Sequence, residues 1–108
     1  MDLVSEIYQI TKKFPSEEQF GLTSQMRRSA ISIPCNIAEG AARNSSKEYM
    51  QFLYISLGSL SEIETQIEIA ERLDFMTRPD ELLKAIIEIR KMLLGLIAYV
   101  VKKRKPSR

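Results

Sequence analysis

Residues 45–73, SSKEYMQFLYISLGSLSEIETQIEIAERL, decide the fold. Tyr49, Leu53, Ser56, Leu60, Ile63, Ile67 and Ala70 follow in alternating steps of four and three, the spacing of a seam along one face of a long helix. Ser45 is placed to cap the start, and Glu48, three residues on, to complete a capping box. The stretch predicts a helix of about 28 residues, roughly 42 Å long at the α-helical rise.

A second long helix follows. Thr77 is expected to cap it, with Pro79 in the first turn and Asp80 closing the box. Leu82, Ile86, Ile89, Leu93, Leu96 and Val100 form its seam, again in steps of four and three. A parallel row, Leu83, Ile87, Leu94, Ile97 and Val101, is interrupted by Arg90.

Upstream, Met26, Ala30, Ile33, Ile37 and Ala41 mark a helix from Thr23, its expected N-cap, to about Ala42. Pro34 lies inside it and cannot donate to the carbonyl of Ala30. The apolar phase continues across the proline, which favours one kinked helix over two short ones. The first helix is short, Asp2 to about Lys13, with Leu3, Ile7, Ile10 and Phe14 on one face. Phe14-Pro15 stops it, because proline disfavours helical geometry in its predecessor. Ser16 to Gly21 reads as a single turn closed by glycine. The fold class is therefore all-α, an antiparallel up-down four-helix bundle over residues 1–101, followed by a basic tail, 102–108. Only 4 Gly and 4 Pro in 108 residues agree with this, since an all-β fold needs many more turns.

Two apolar rows on the last helix are more than one core needs. The third helix adds Met50, Tyr54 and Leu57 off its seam, and the first helix is too short to cover a partner of such length. Met50, Tyr54, Leu57, Leu83, Ile87, Leu94, Ile97 and Val101 are therefore candidates for a subunit interface, and a homo-oligomer is expected.

The same totals narrow the function. No run approaches the roughly 20 apolar residues that span a bilayer, and the N-terminus has an acid where a secretory signal is basic. One cysteine excludes an intramolecular disulfide, so the expected location is the cytoplasm. There is no histidine, the commonest general base and metal ligand. Cys35 lies in an apolar helix with nothing to activate it and reads as a buried, inert thiol. Glu62, Glu64, Glu68 and Glu71 lack the Glu-x-x-His partner of a di-metal bundle; Glu68 and Arg72 are spaced for a helix-surface pair instead. No enzyme, metal or cofactor is expected.

Charge leaves two readings open. Net charge is +2, but Lys102, Lys103, Arg104, Lys105 and Arg108 hold five of the 16 basic residues, leaving 11 against 14 acidic groups elsewhere. Such a tail is either a cationic helix end with a solvated extension or an arm for nucleic acid. Within residues 25–43, Arg28, Ser32, Asn36, Glu39 and Arg43 recur at helical spacing. Ser32, Asn36, Glu39 and Arg43 can form a polar network around the proline; Arg27, Arg28 and Arg43 can equally contact an anion or nucleic acid. The residue types alone do not separate these readings.

Phe14-Pro15, Glu18, Gly21-Leu22, Gln25-Met26-Arg27-Arg28, Ser32-Ile33-Pro34, Asn36-Ile37-Ala38-Glu39-Gly40 and Arg43 form a specific combination. Glu48, Phe52-Leu53, Gly58-Ser59-Leu60 and Glu62-Ile63-Glu64-Thr65-Gln66 extend it. Together they closely resemble the bacterial four-helix-bundle proteins encoded in intervening sequences of large-subunit ribosomal RNA genes, often labelled S23. That label comes from gene location and does not establish a place in the ribosome. The resemblance implies an antiparallel four-helix bundle that assembles as a homopentamer. It also implies a fold-level relation to the accessory variability protein of diversity-generating retroelements, which binds its reverse transcriptase and nucleic acid through a basic pentamer surface. Family members usually begin earlier, with an aromatic-bearing first turn, and carry a small residue where Cys35 stands. The expected function is a non-enzymatic oligomeric adaptor that binds RNA or DNA; the alternative is a protein–protein scaffold without direct nucleic-acid binding.

Overall fold

The computed structural model describes residues 2–104, excepting the side chain of Arg104. Four α-helices occur in it: α1 (Asp2–Thr11), α2 (Leu22–Ala41), α3 (Ser46–Arg72) and α4 (Asp80–Arg104). A 3-10 turn, Ser16–Glu18, sits between α1 and α2. Successive helices run antiparallel, and each packs on two others: α2 and α4 both touch α1 and α3. α1 thus lies diagonally opposite α3. At 10 residues it covers only part of a body 56 Å long and 25 × 19 Å across.

The α3 seam is half-buried at Tyr49 and buried from there on, with Leu53, Ser56, Leu60, Ile63, Ile67 and Ala70 closed to solvent. Against it stand Met26, Ala30 and Ile33 from α2, Leu3 and Ile7 from α1, and Leu82, Ile86 and Leu93 from α4. On α4 the seam continues through Ile97 and Val100, and Leu96 is only half-buried. This corrects the outer row: Ile97 belongs to the monomer's own core and leaves the set of candidate interface residues. A strict heptad assumes 3.5 residues per turn, whereas a straight helix has 3.6, and the drift carries the core face from position 96 to 97. Met50 and Leu57 are also half-buried against this core. Leu83, Ile87, Leu94, Val101 and Tyr54 remain exposed.

α2 is a single helix that runs through Pro34. Its neighbour α3 supplies small polar side chains beside the proline. Ser56 Oγ donates to the carbonyl of Ile33 at 3.0 Å, and Ser32 and Ser59 share a hydroxyl bond at 2.8 Å. Asn36 Nδ2 donates to the carbonyl of Ser32 (2.8 Å) and to its hydroxyl (2.9 Å). The helices approach closely at Gly40, where an added Cβ would lie 2.7 Å from Phe52 Cβ and 2.9 Å from Tyr49 Cδ1. Cys35 is exposed, which corrects the expectation of a buried thiol. Two residues advance a helix by about 200°, so a core-facing Ile33 turns Cys35 outward.

Helix ends depart from expectation in informative ways. Ser45 Oγ accepts from the N–H of Glu48 at 3.2 Å, the first half of a capping box. The Glu48 carboxylate instead lies 3.6 Å from Arg43. Thr23 is a buried residue within α2, and its expected capping role passes to Gly21, with Glu18 Oε1 accepting from the N–H of Leu22 at 3.2 Å. α4 begins three residues after Thr77; the carbonyl of Pro79 accepts from Leu82 and Leu83. Proline fits there because that position needs no N–H of its own. α3 closes with Asp74 at φ 62°, while Phe75 N–H donates to Ala70 O at 2.9 Å and Asp74 N–H to Glu71 O at 3.1 Å. That bond pair is a Schellman cap. It lays Phe75 against Phe14, ring centroids 5.5 Å apart. α4 runs to Arg104, past the boundary drawn between bundle and tail, so Lys102 and Lys103 are helical.

Candidate nucleic-acid interface

The arginines divide by their partners. Arg43 binds Glu39 at 2.7 Å, lies 3.6 Å from Glu48 and stacks over Phe52 at 5.0 Å. Arg72 pairs with Glu68 at 3.4 Å, Arg78 with Glu71 at 2.9 Å, and Arg90 with Glu64 across the α3–α4 contact. Among the arginines whose side chains are described, only Arg27 and Arg28 have no carboxylate partner. A guanidinium already matched by carboxylates has little net charge to offer a phosphate, so Arg43 is a weak candidate and this pair a strong one.

Arg27 and Arg28 share a cleft on the outside of α2, near its N-terminal end, with a volume of about 590 Å³. Tyr8 of α1 and Phe20 of the preceding turn contribute to its walls. Arg27 is held in place: its Nε donates to Thr11 Oγ1 at 2.9 Å, and its guanidinium lies 4.5 Å from the Tyr8 ring centroid. Thr11 is in turn fixed by donating to Ile7 O at 2.7 Å. With one nitrogen and one planar face engaged, the two terminal nitrogens of Arg27 remain for a ligand. Arg28 is exposed beside it. The cleft is therefore cationic, partly apolar and pre-oriented on one side.

The other candidates lie elsewhere. Arg43 lies just past the C-terminal end of α2, whose last residue, Ala41, is about 20 Å from Arg28 by helical rise. Lys102 and Lys103 stand at the far end of α4, with Lys103 Nζ 5.7 Å from the Tyr99 ring centroid. The side chain of Arg104 and all of Lys105 lie outside the described residues. The polar set around Pro34 is two separate pairs, Ser32–Asn36 and Glu39–Arg43, with Ser59 joined to the first. Phe20 and Tyr8 were not singled out by sequence reasoning. The available signal was an aromatic placed directly before Gly21, outside every helical apolar phase.

Among the described residues, no group of three or more His, Cys, Asp or Glu side chains is arranged to hold a metal ion. No described helix is long and apolar enough to cross a membrane. The molecule is thus of the all-α, four-helix-bundle class, with a cationic cleft between its first two helices. It matches the family described as 23S rRNA-intervening sequence protein over residues 1–95, and belongs to that family. Neither the family nor the fold points to catalysis. No curated protein matches the chain.

Proposed function

We propose that this protein is a non-enzymatic, homo-oligomeric adaptor that binds nucleic acid, with Arg27 and Arg28 as the principal phosphate contacts. The observation that carries this reading is that these two arginines, alone among those described, are unmatched by carboxylates and share one cleft. Phosphate neutralisation supplies most sequence-independent affinity for nucleic acid. Lys102 and Lys103, at the far end of α4, offer a second, separate basic region. The cytoplasm is the compartment consistent with a single exposed cysteine.

Self-association is supported by the exposed row on α4. Leu83, Ile87, Leu94 and Val101 are between 44% and 50% exposed and lie within about 40° of one line along the helix. Rows of this kind are usual at subunit contacts. Five copies is the number the family resemblance implies. The same surface supports the second reading, a scaffold that recruits a protein partner without touching nucleic acid.

Titration of labelled RNA and DNA at low salt tests the proposal, with binding expected to weaken steeply as salt rises. Removing residues 102–108 measures the tail's share of that slope. No binding to either polymer at low salt removes the nucleic-acid reading and leaves the scaffold.

A further inference from the structure

We propose that the cleft receives an unstacked base, so that the nucleic acid recognised is single-stranded. This rests on the nucleic-acid reading above and names the form of the polymer. Phe20 carries it. It is 90% exposed, the most exposed large apolar side chain described, on a wall of the same cleft as Arg27 and Arg28. No described aromatic ring or cation packs on either face of it. An aromatic ring held in water beside two guanidiniums free of carboxylates matches the way single strands are bound, with bases on aromatic faces and the backbone along positive charge.

The rest of the wall agrees with that use. Ile31 adds an apolar edge, while Thr23 and Ser24 add hydroxyls that can meet the edge of a base. The Tyr8 face is taken by Arg27, which leaves Phe20 as the free stacking platform. The volume of about 590 Å³ falls within the range of small-ligand sites, about 300–1,000 Å³. A duplex hides its base faces within its own stack. It could engage the arginines through phosphates but would leave the Phe20 ring in water.

The chain contains no tryptophan, so Phe20→Trp introduces a sole indole reporter at the platform. The full-length F20W protein is titrated with a short oligouridylate and with a duplex of equal length. Quenching by the single strand and none by the duplex is expected, since stacking and not phosphate contact reaches the indole. In parallel, F20A should weaken single-strand binding about 5- to 150-fold and leave the salt slope and duplex binding unchanged. Circular dichroism and assembled mass of F20A should match the parent. Quenching by neither polymer, an equal effect of F20A on both, or a changed assembled mass overturns the base platform. If R27A/R28A still weakens both polymers, nucleic-acid binding survives that failure. Absence of binding by the parent protein removes both proposals.

Discussion

Replacing Gly40 by alanine should destabilise the bundle, although alanine is the better helix former. Within a helix that exchange ordinarily stabilises by about 0.5–1 kcal/mol, through lower unfolded-chain entropy and better propensity. At Gly40 the new Cβ would lie 2.7 Å from Phe52 Cβ, 2.9 Å from Tyr49 Cδ1 and 3.3 Å from Tyr49 O. The Tyr49 ring can rotate. Phe52 Cβ is fixed to the α3 backbone, so relief requires the two helices to part by about 1 Å to reach ordinary carbon contact. Overpacking of this kind costs about 1–3 kcal/mol. Gly58 and Gly95 provide internal controls, because a Cβ at either meets nothing within 4 Å. G58A and G95A should each gain about 0.5–1 kcal/mol; G40A shares that gain but adds the packing cost, so about 1–3 kcal/mol should separate it from them. Urea unfolding followed by circular dichroism at one fixed protein concentration reads this difference; the fixed concentration is needed because association raises apparent stability. A G40A protein as stable as G58A would refute the claim that α2 and α3 touch backbone to backbone there.

Asp74 holds a left-handed conformation at φ 62° in the α3 cap, so D74G should raise stability by about 1 kcal/mol, measured by the same unfolding curves. Ile87→Asp and Leu94→Asp place charge on the exposed α4 row; each should lower the assembled mass in sedimentation while leaving helical content unchanged. An unaltered mass in both would place the subunit contact elsewhere.

The fold was legible wherever one periodic signal dominated. The α3 seam and the continuation of α2 through Pro34 follow from apolar phase alone. The outward shift from Leu96 to Ile97 did not, because heptad and straight-helix spacing agree for two turns and diverge only after that. Caps were less legible for a different reason. Thr23 and Thr77 have good capping chemistry, yet Gly21 and Pro79 take those positions, since packing of Thr23 into the core and the rigid geometry of proline set where each helix begins. At the site, Arg27 and Arg28 stood out as adjacent cations. What distinguishes them from Arg43 is partnership: Glu39 is visible four residues away, but Arg90–Glu64 and Arg78–Glu71 depend on tertiary and loop geometry. Phe20 had no periodicity to mark it.

The central claim is that Arg27 and Arg28 carry the phosphate contacts, and the slope of log affinity against log salt tests it most directly. Each phosphate neutralised on a single strand contributes a slope of about −0.7. Binding of a short oligonucleotide, measured by fluorescence anisotropy over a range of salt, should therefore lose about 1.4 of slope per engaged chain in R27A/R28A. R43A should leave the slope unchanged, because Glu39 and Glu48 already match that guanidinium. A slope that is unaltered in R27A/R28A, or that falls in R43A instead, would contradict the account.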